Sequence, residues 1–407
     1  MKSVDQHLAD VLEGLEPLSP LELQLLDAQG CTLEKDVATT WALPPFDNSS
    51  MDGYAVRAED VASASATSPV TLPVVGDIAA GSSSAVALVP GQSARIMTGA
   101  PVPPGADAVV PVEWTDGGVA QVRVDRAPKP GAYIRRRGED APEGTVVLTK
   151  GTRLGPAQLG LLGAVGRDRI LVRPRPRVVV LSTGDELVEP GTSLTPGRIP
   201  DSNSFMLAAA ARESGSMAYR VGFVSDDPRV LIDTLEDQLI RADLVLTTGG
   251  VSVGAYDVVK EALSRLGTVS FDKVAMQPGM PQGYGHVGPD RTPILTLPGN
   301  PVSAFVSFEV FVRPVLRRML GVEPLHRPTV RAVLTAPVDS PEGRRQYLRA
   351  DLEVEDGRYV ARPVGGPGSH LMVGLSQSNA FVVIPEEVGH VAAGEAVTVM
   401  MLERRTG

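Results

Sequence analysis

The fold is decided by residues 243 to 257, Asp243-Leu-Val-Leu-Thr-Thr-Gly-Gly-Val-Ser-Val-Gly-Ala-Tyr-Asp257. Leu244, Val245 and Leu246 form a short apolar run without alternation, the signature of a parallel strand covered on both faces. Thr247 to Gly254 then supplies small residues and a backbone that can lie against a ligand. Gly249, Gly250 and Gly254 lack a Cβ, so they can take positive φ and bring amide N–H groups close to an anion. A glycine doublet alone equally fits a tight turn that packs a helix on a sheet. The repetition of the pattern argues for more. Val178 to Ser182 runs into Thr183-Gly184-Asp185-Glu186, and Ile294 to Leu297 runs into Pro298-Gly299-Asn300-Pro301. In an open parallel sheet the carboxyl ends of the strands face one crevice, where ligands bind.

Around this stretch, residues 177 to 327 alternate strand and helix. Strands are expected at 178–182, 219–224, 243–247 and 294–297, and helices at 203–214, 228–241, 256–266 and 301–320. Asp227 before Pro228 reads as an N-cap with proline at the first helical position. The spacing predicts right-handed crossovers and a parallel, doubly wound sheet. On the N-terminal side, 3–15 and 19–28 read as helices, and 44–143 as a β-rich inserted domain of short strands and turns. Residues 144–176 return to helix and pair with 1–43 as a discontinuous helical and linker domain. Residues 328–407 hold five alternating runs, including VRAVLTAPV and AVTVMML, and are expected to close a C-terminal β barrel or sandwich. Arg173, Arg175 and Arg177 alternate with prolines and read as a solvated, extended linker.

Composition narrows the function. A chain of 407 residues exceeds one compact core, and 42 glycines with 35 prolines and 4% aromatic residues favour turn-rich domains with aliphatic cores. The formal net charge of −10 argues against nucleic-acid binding. No apolar run reaches the roughly 18 residues of a membrane span, and the N-terminal residues lack a signal-peptide pattern, so a cytoplasmic protein is expected. Cys31 is the single cysteine, which excludes an intrachain disulfide or a thiolate zinc cluster. The five histidines are scattered, no G-x-S-x-G elbow is present, and the glycine stretch lacks the lysine of a Walker motif and the spacing of G-x-G-x-x-G.

The crevice does carry carboxylates: Asp185, Glu186, Asp226, Asp227 and Asp257. Carboxylates beside an anion-binding turn repel the ligand unless a cation intervenes, and Mg²⁺ suits carboxylate and phosphate oxygens. Capping accounts for Asp227, but less well for Glu186 and Asp257. In WALPPFDNSSMDGYAVR, residues 41–57, the loop composition leaves two readings of Asp52-Gly53 open, an ordinary turn or a site.

Taken together and in order, PPFDNSSMDGYAVR, RIMTGAPVPPGADAVVPVE, RRRGED, LSTGDEL, DSN, TTGGVSVGAYD, LPGNPVSAF and GSH resemble the MoeA-type molybdopterin molybdenumtransferases, a family that includes the C-terminal part of gephyrin. The resemblance spans nearly the whole chain. It implies a central doubly wound MogA/MoaB-like domain, and an enzyme that takes adenylylated molybdopterin and molybdate and releases AMP with Mg²⁺ to leave Mo-molybdopterin. It also implies a homodimer with a site shared between subunits, and it admits a MogA-type adenylyltransferase partner. By motif position, Asp52, Glu186 and Asp257 would be catalytic, with Glu186 and Asp257 at the metal. Thr98, Asp140, Thr183, Gly184, Asp226, Gly249, Gly250, Ser252 and Gly254 would hold molybdopterin or nucleotide. Pro298, Asn300, Pro301, Ser303 and Ser369 would flank molybdate together with Arg345 or Arg349, between which the motif does not choose.

One departure stands out. Many members carry a KPGKP run near the oxyanion, whereas this chain reads Gln277-Pro278-Gly279-Met280-Pro281, with two positive charges fewer. A charge-assisted hydrogen bond contributes about 1.5 to 3 kcal/mol against about 0.5 to 1.5 for a neutral one. Two alternatives therefore accompany the transferase reading: a paralogue specialised for another oxyanion such as tungstate, and a catalytically reduced scaffold of the same fold.

Overall fold

The computed structural model describes residues 1–82, 86–224, 227–249 and 256–402, with the side chains of 256–258 not described. The polypeptide forms two compact units, one of residues 1–23, 30–34 and 171–407, the other of 24–29 and 35–170.

The larger unit opens with helix α1 (Val4–Leu12), capped as expected by Ser3, whose hydroxyl accepts from Gln6 N–H. The expected second helix is absent. Leu21–Gln24 is a strand instead, because Leu-Glu-Leu-Gln alternates at period two, and the chain then turns back with Ala28 N–H bonded to Gln24 C=O. The arginine run is not a solvated linker either. Arg173 pairs with Glu34 at 2.5 Å, Arg175 donates to the carbonyls of Gly215 and Ser216, and Arg177 grips Asp243. The bonds of Arg175 and Arg177 draw the segment onto the α/β domain.

That domain runs β1 (Arg177–Thr183), α2 (Asn203–Glu213), β2 (Met217–Val224), α3 (Pro228–Leu239), β3 (Leu244–Thr248), α4 (Tyr256–Leu266), β4 (Gly267–Lys273), β5 (Pro281–Val287), β6 (Thr292–Leu297), α5 (Pro301–Ser307) and α6 (Arg313–Leu320). The sheet order is β2-β1-β3-β6-β5-β4. The first four strands are parallel, and β1 and β3 are buried along nearly their whole length, which explains their unbroken apolar runs. The sheet is not wholly parallel. β5 is antiparallel to both β6 and β4, forming an edge that sequence patterning missed. The physical reason is the glycines: a Cβ on Gly285 would lie 1.9 Å from Thr268 O, so close approach replaces the usual aliphatic side chain. The expected 301–320 helix is interrupted by a π-helical turn at Phe308–Val312, where buried Glu309 pairs with Arg313 and Arg327. Asp227 caps α3 as expected, accepting from Arg229 N–H.

The C-terminal part is a closed barrel. Strands β7 (Thr329–Leu334), β8 (Arg345–Glu355), β9 (Arg358–Pro363), β10 (Ala380–Ile384) and β11 (Ala396–Met401) run in the order β8-β9-β7-β11-β10, and β10 pairs back onto β8. Met276–Gln277 adds in parallel to β8, placing Gln277 beside Gln346.

In the smaller unit, the strands Ala108–Pro111, Gly53–Val56, Ser93–Ile96, Val70–Ile78 and Gln121–Val124 form one five-stranded sheet in that order. Helix Pro156–Ala164 belongs to the same unit.

Candidate active site

Strand order reverses between β1 and β3, so the crevice lies outside their carboxyl ends. The chain after β1 and the chain after β3 meet there. Gly249 has φ 94°, and a Cβ on it would lie 2.4 Å from Thr183 O, so only glycine fits this approach. Its N–H donates to Leu297 O at 3.2 Å, joining it to the end of β6. Glu186 is exposed and folds back over Gly184: a Cβ on that glycine would lie 2.5 Å from the Glu186 carboxylate. The Thr183 hydroxyl is buried without a hydrogen-bond partner among the described residues.

The turn after β6 meets the GSH motif. Asn300 Nδ2 donates to Ser369 Oγ at 2.9 Å, and Val302 N–H donates to Ser369 O at 3.0 Å. Pro298 and Ser303 are buried, and Pro301 opens α5.

The two arginines of β8 separate. Arg345 is committed to Asp5, at 2.7 and 2.9 Å, and to Glu386, which together raise its pKa. Arg349 is 5% exposed and donates to the carbonyls of Gly366, Gly368 and Leu371. No carboxylate pairs with it among the described residues. Burial pulls its pKa down, although a guanidinium stays protonated in a protein. It lines a cavity of about 320 Å³ with Gln277, Pro278, Gln346, Gly365 and Asp339. The Asp339 carboxylate is turned to His390 Nδ1 at 2.7 Å. A buried cation without an anion is expensive, and an oxyanion in this cavity would complete the pair.

In the smaller unit, Asp52 Oδ1 accepts from Thr98 N–H at 2.7 Å and from Thr98 Oγ1 at 2.8 Å. The backbone N–H first and the hydroxyl second hold its carboxyl below the usual carboxylate range. Gly53 is required by packing, since a Cβ there would lie 2.0 Å from Val110 O. Asp52, Thr98 and Asp140 are all exposed.

Asp226, Gly250, Ser252, Gly254 and the side chain of Asp257 lie outside the described residues. Among the described residues, no group of three or more His, Cys, Asp or Glu side chains is gathered to hold a metal ion. Sequence reasoning overlooked two side chains. Asp201 is buried beneath the end of β1, and Asn203 links Thr248 to Gly299 O. Both belong to the DSN motif, which was the available signal.

Known families match the chain in three consecutive stretches: the MoeA N-terminal region (domain I and II) over residues 2–166, the probable molybdopterin binding domain over 179–318, and the MoeA C-terminal region (domain IV) over 331–402. The curated "Molybdopterin molybdenumtransferase 2" of Mycobacterium tuberculosis is 50% identical over 405 residues, covering 98% of this chain and 99% of that protein. The "Molybdopterin molybdenumtransferase" of Bacillus subtilis is 36% identical over 380 residues, covering 92% and 88%. A crystal structure of the molybdopterin biosynthesis MoeA protein from Pyrococcus horikosii superimposes with a TM-score of 0.76 at 34% identity, over 99% of each chain. With identity of this extent along its full length, the chain belongs to the MoeA family of molybdopterin molybdenumtransferases.

Proposed function

We propose that this chain is the molybdenum-inserting enzyme of molybdenum cofactor biosynthesis: it takes molybdate and adenylylated molybdopterin, releases AMP, and leaves molybdenum on the dithiolene. The observation that carries the reading is Arg349, a buried guanidinium with no carboxylate partner among the described residues, lining a cavity of about 320 Å³ that has room for a small oxyanion. By the family resemblance Asn300, Ser303 and Ser369, with Pro298 and Pro301, would add neutral polar groups, although only their neighbour Val302 lines that cavity. Thr183, Gly184 and Gly249 offer a close backbone surface for the pterin phosphate and nucleotide, and the family resemblance would add Asp226, Gly250, Ser252 and Gly254, which lie outside the described residues. Glu186 and Asp257 are hard oxygen donors suited to Mg²⁺, which usually keeps several waters and takes one or two carboxylates plus substrate phosphates. When bound, Mg²⁺ would neutralise charge on the phosphoanhydride.

Asp52, held ionised by Thr98, together with Thr98 and Asp140, would serve the crevice of the other subunit in a homodimer, as the family resemblance implies. No helix among the described residues is long and apolar enough to cross a membrane. We place the enzyme in the cytoplasm, supplied with substrate by a MogA-type adenylyltransferase. The test is to incubate the protein with adenylylated molybdopterin, Mg²⁺ and molybdate, and to follow AMP. Oxyanion-dependent release is expected, and its absence refutes the reading.

A second reading, specialisation for tungstate, is favoured by Gln277 at the cavity and by Met280 three residues further along the chain, where many members carry lysines. The same assay with tungstate in place of molybdate separates the two.

A further inference from the structure

The sequence Asp201-Ser202-Asn203 at the start of α2 holds three strand ends. Asn203, 9% exposed, donates from Nδ2 to Thr248 Oγ1 at 3.0 Å, at the end of β3, and to Gly299 O at 2.7 Å, in the turn after β6. Gly299 O can only accept, so the amide nitrogen must face it and the orientation of the side chain is fixed. Thr248 Oγ1 passes the chain on to Pro298 O at 2.9 Å. Two residues earlier, buried Asp201 accepts from Ser182 Oγ at 2.9 Å, at the end of β1, and from the N–H and hydroxyl of Ser204.

The position of this fork matters. The register of β3 with β6 ends at Thr248 opposite Leu297. Beyond that pair, the Gly249 N–H to Leu297 O bond and the Asn203 fork join the two chains. The backbones are also in near contact, since a Cβ on Gly299 would lie 3.4 Å from Gly249 Cα. We propose that Asn203 is a positioning residue that sets the spacing between Thr248 and Gly249, at the end of β3, and the Pro298–Pro301 turn. Resting on the transferase reading, this spacing holds the phosphate end of the pterin at a working distance from the oxyanion. Asn203 need touch neither substrate to do so.

Asn203→Asp keeps the shape and replaces the donor with an acceptor facing Gly299 O. Thr248→Val removes the shared hydroxyl with little change of volume, and Thr248→Ser retains it. In Asn203→Asp and Thr248→Val, hydrogen exchange in peptides covering 244–249 and 294–300 should accelerate roughly tenfold, with exchange in the barrel unchanged. AMP release at saturating molybdate should fall by about 10- to 100-fold, because small misplacements of reacting groups have effects of that size. Molybdopterin binding measured alone should stay within about threefold, and Thr248→Ser should work like the wild type. Wild-type exchange and turnover in both disabled variants would overturn the proposal. So would equal losses of binding, turnover and melting temperature, which would mark Asn203 as merely structural. If the wild-type chain releases no AMP with molybdate, the transferase reading falls and the exchange measurement alone decides the clamp.

Discussion

At the scale of single residues, the difference between Arg345 and Arg349 was beyond sequence reading, because the two lie four apart in one strand and differ only in what packs around them. Asp5 and Glu386, remote in sequence, neutralise the first, and loop carbonyls surround the second. Asp52 was legible as a candidate but not its state, which depends on Thr98 lying 46 residues away. Thr98→Val removes the hydroxyl donor and leaves the backbone one. Since both donors lower the carboxyl pKa, losing one raises it part of the way back, and the acid limb of the turnover profile should move to higher pH. An unmoved limb would show that Asp52 does not govern it. At the cavity, Gln277→Lys restores a cation and is expected to tighten molybdate by about an order of magnitude, the difference between a neutral and a charge-assisted bond. Calorimetry showing no gain would count against Gln277 facing the oxyanion.

Elements were legible where local patterning and tertiary placement agree. The buried strands β1 and β3 and the capped helix α3 follow directly from apolar runs and from Asp227-Pro228. The antiparallel strands β4 and β5 were not, since glycines in β5 serve strand contact rather than turns. Nor was the strand within 19–28, because its period-two alternation is only four residues long. Helix α1 carries its own test. His7 is 2% exposed, edge-on to Phe311, with Nδ1 3.5 Å from Asp272, whose carboxylate also takes Lys2, itself paired with Asp10. Burial, the largest influence, lowers its pKa, with Lys2 acting in the same direction and Asp272 and Asp10 opposing. The unfolded chain therefore binds the proton more readily. Stability should be full above about pH 6.5 and decline as the pH falls from there through the folded value. In His7→Phe the loss of melting temperature between pH 7 and pH 5 should be smaller than in the wild type. An identical loss would show that His7 is not a source of the acid loss of stability.

For the whole molecule, the order of the motifs was legible along the chain, whereas which carboxylates share a site was not, since Asp52 and Glu186 belong to different compact units. The shared-site proposal makes a numerical demand. Asp52→Asn and Glu186→Gln homodimers should each be inactive, but subunits mixed one to one and allowed to exchange should recover about a quarter of wild-type turnover, because half the dimers are mixed and each holds one intact site. A mixture that stays inactive despite proven exchange would place both residues in one chain's site. The central claim is that Arg349 is the cation that receives the oxyanion, and it is tested most directly by AMP release as a function of molybdate in Arg349→Ala beside Arg345→Ala. Arg349→Ala is expected to raise the molybdate requirement by about 10- to 100-fold, the size expected for a lost charge-assisted bond, while Arg345→Ala should leave it near the wild-type value and lower stability instead. An unchanged molybdate dependence in Arg349→Ala would contradict it.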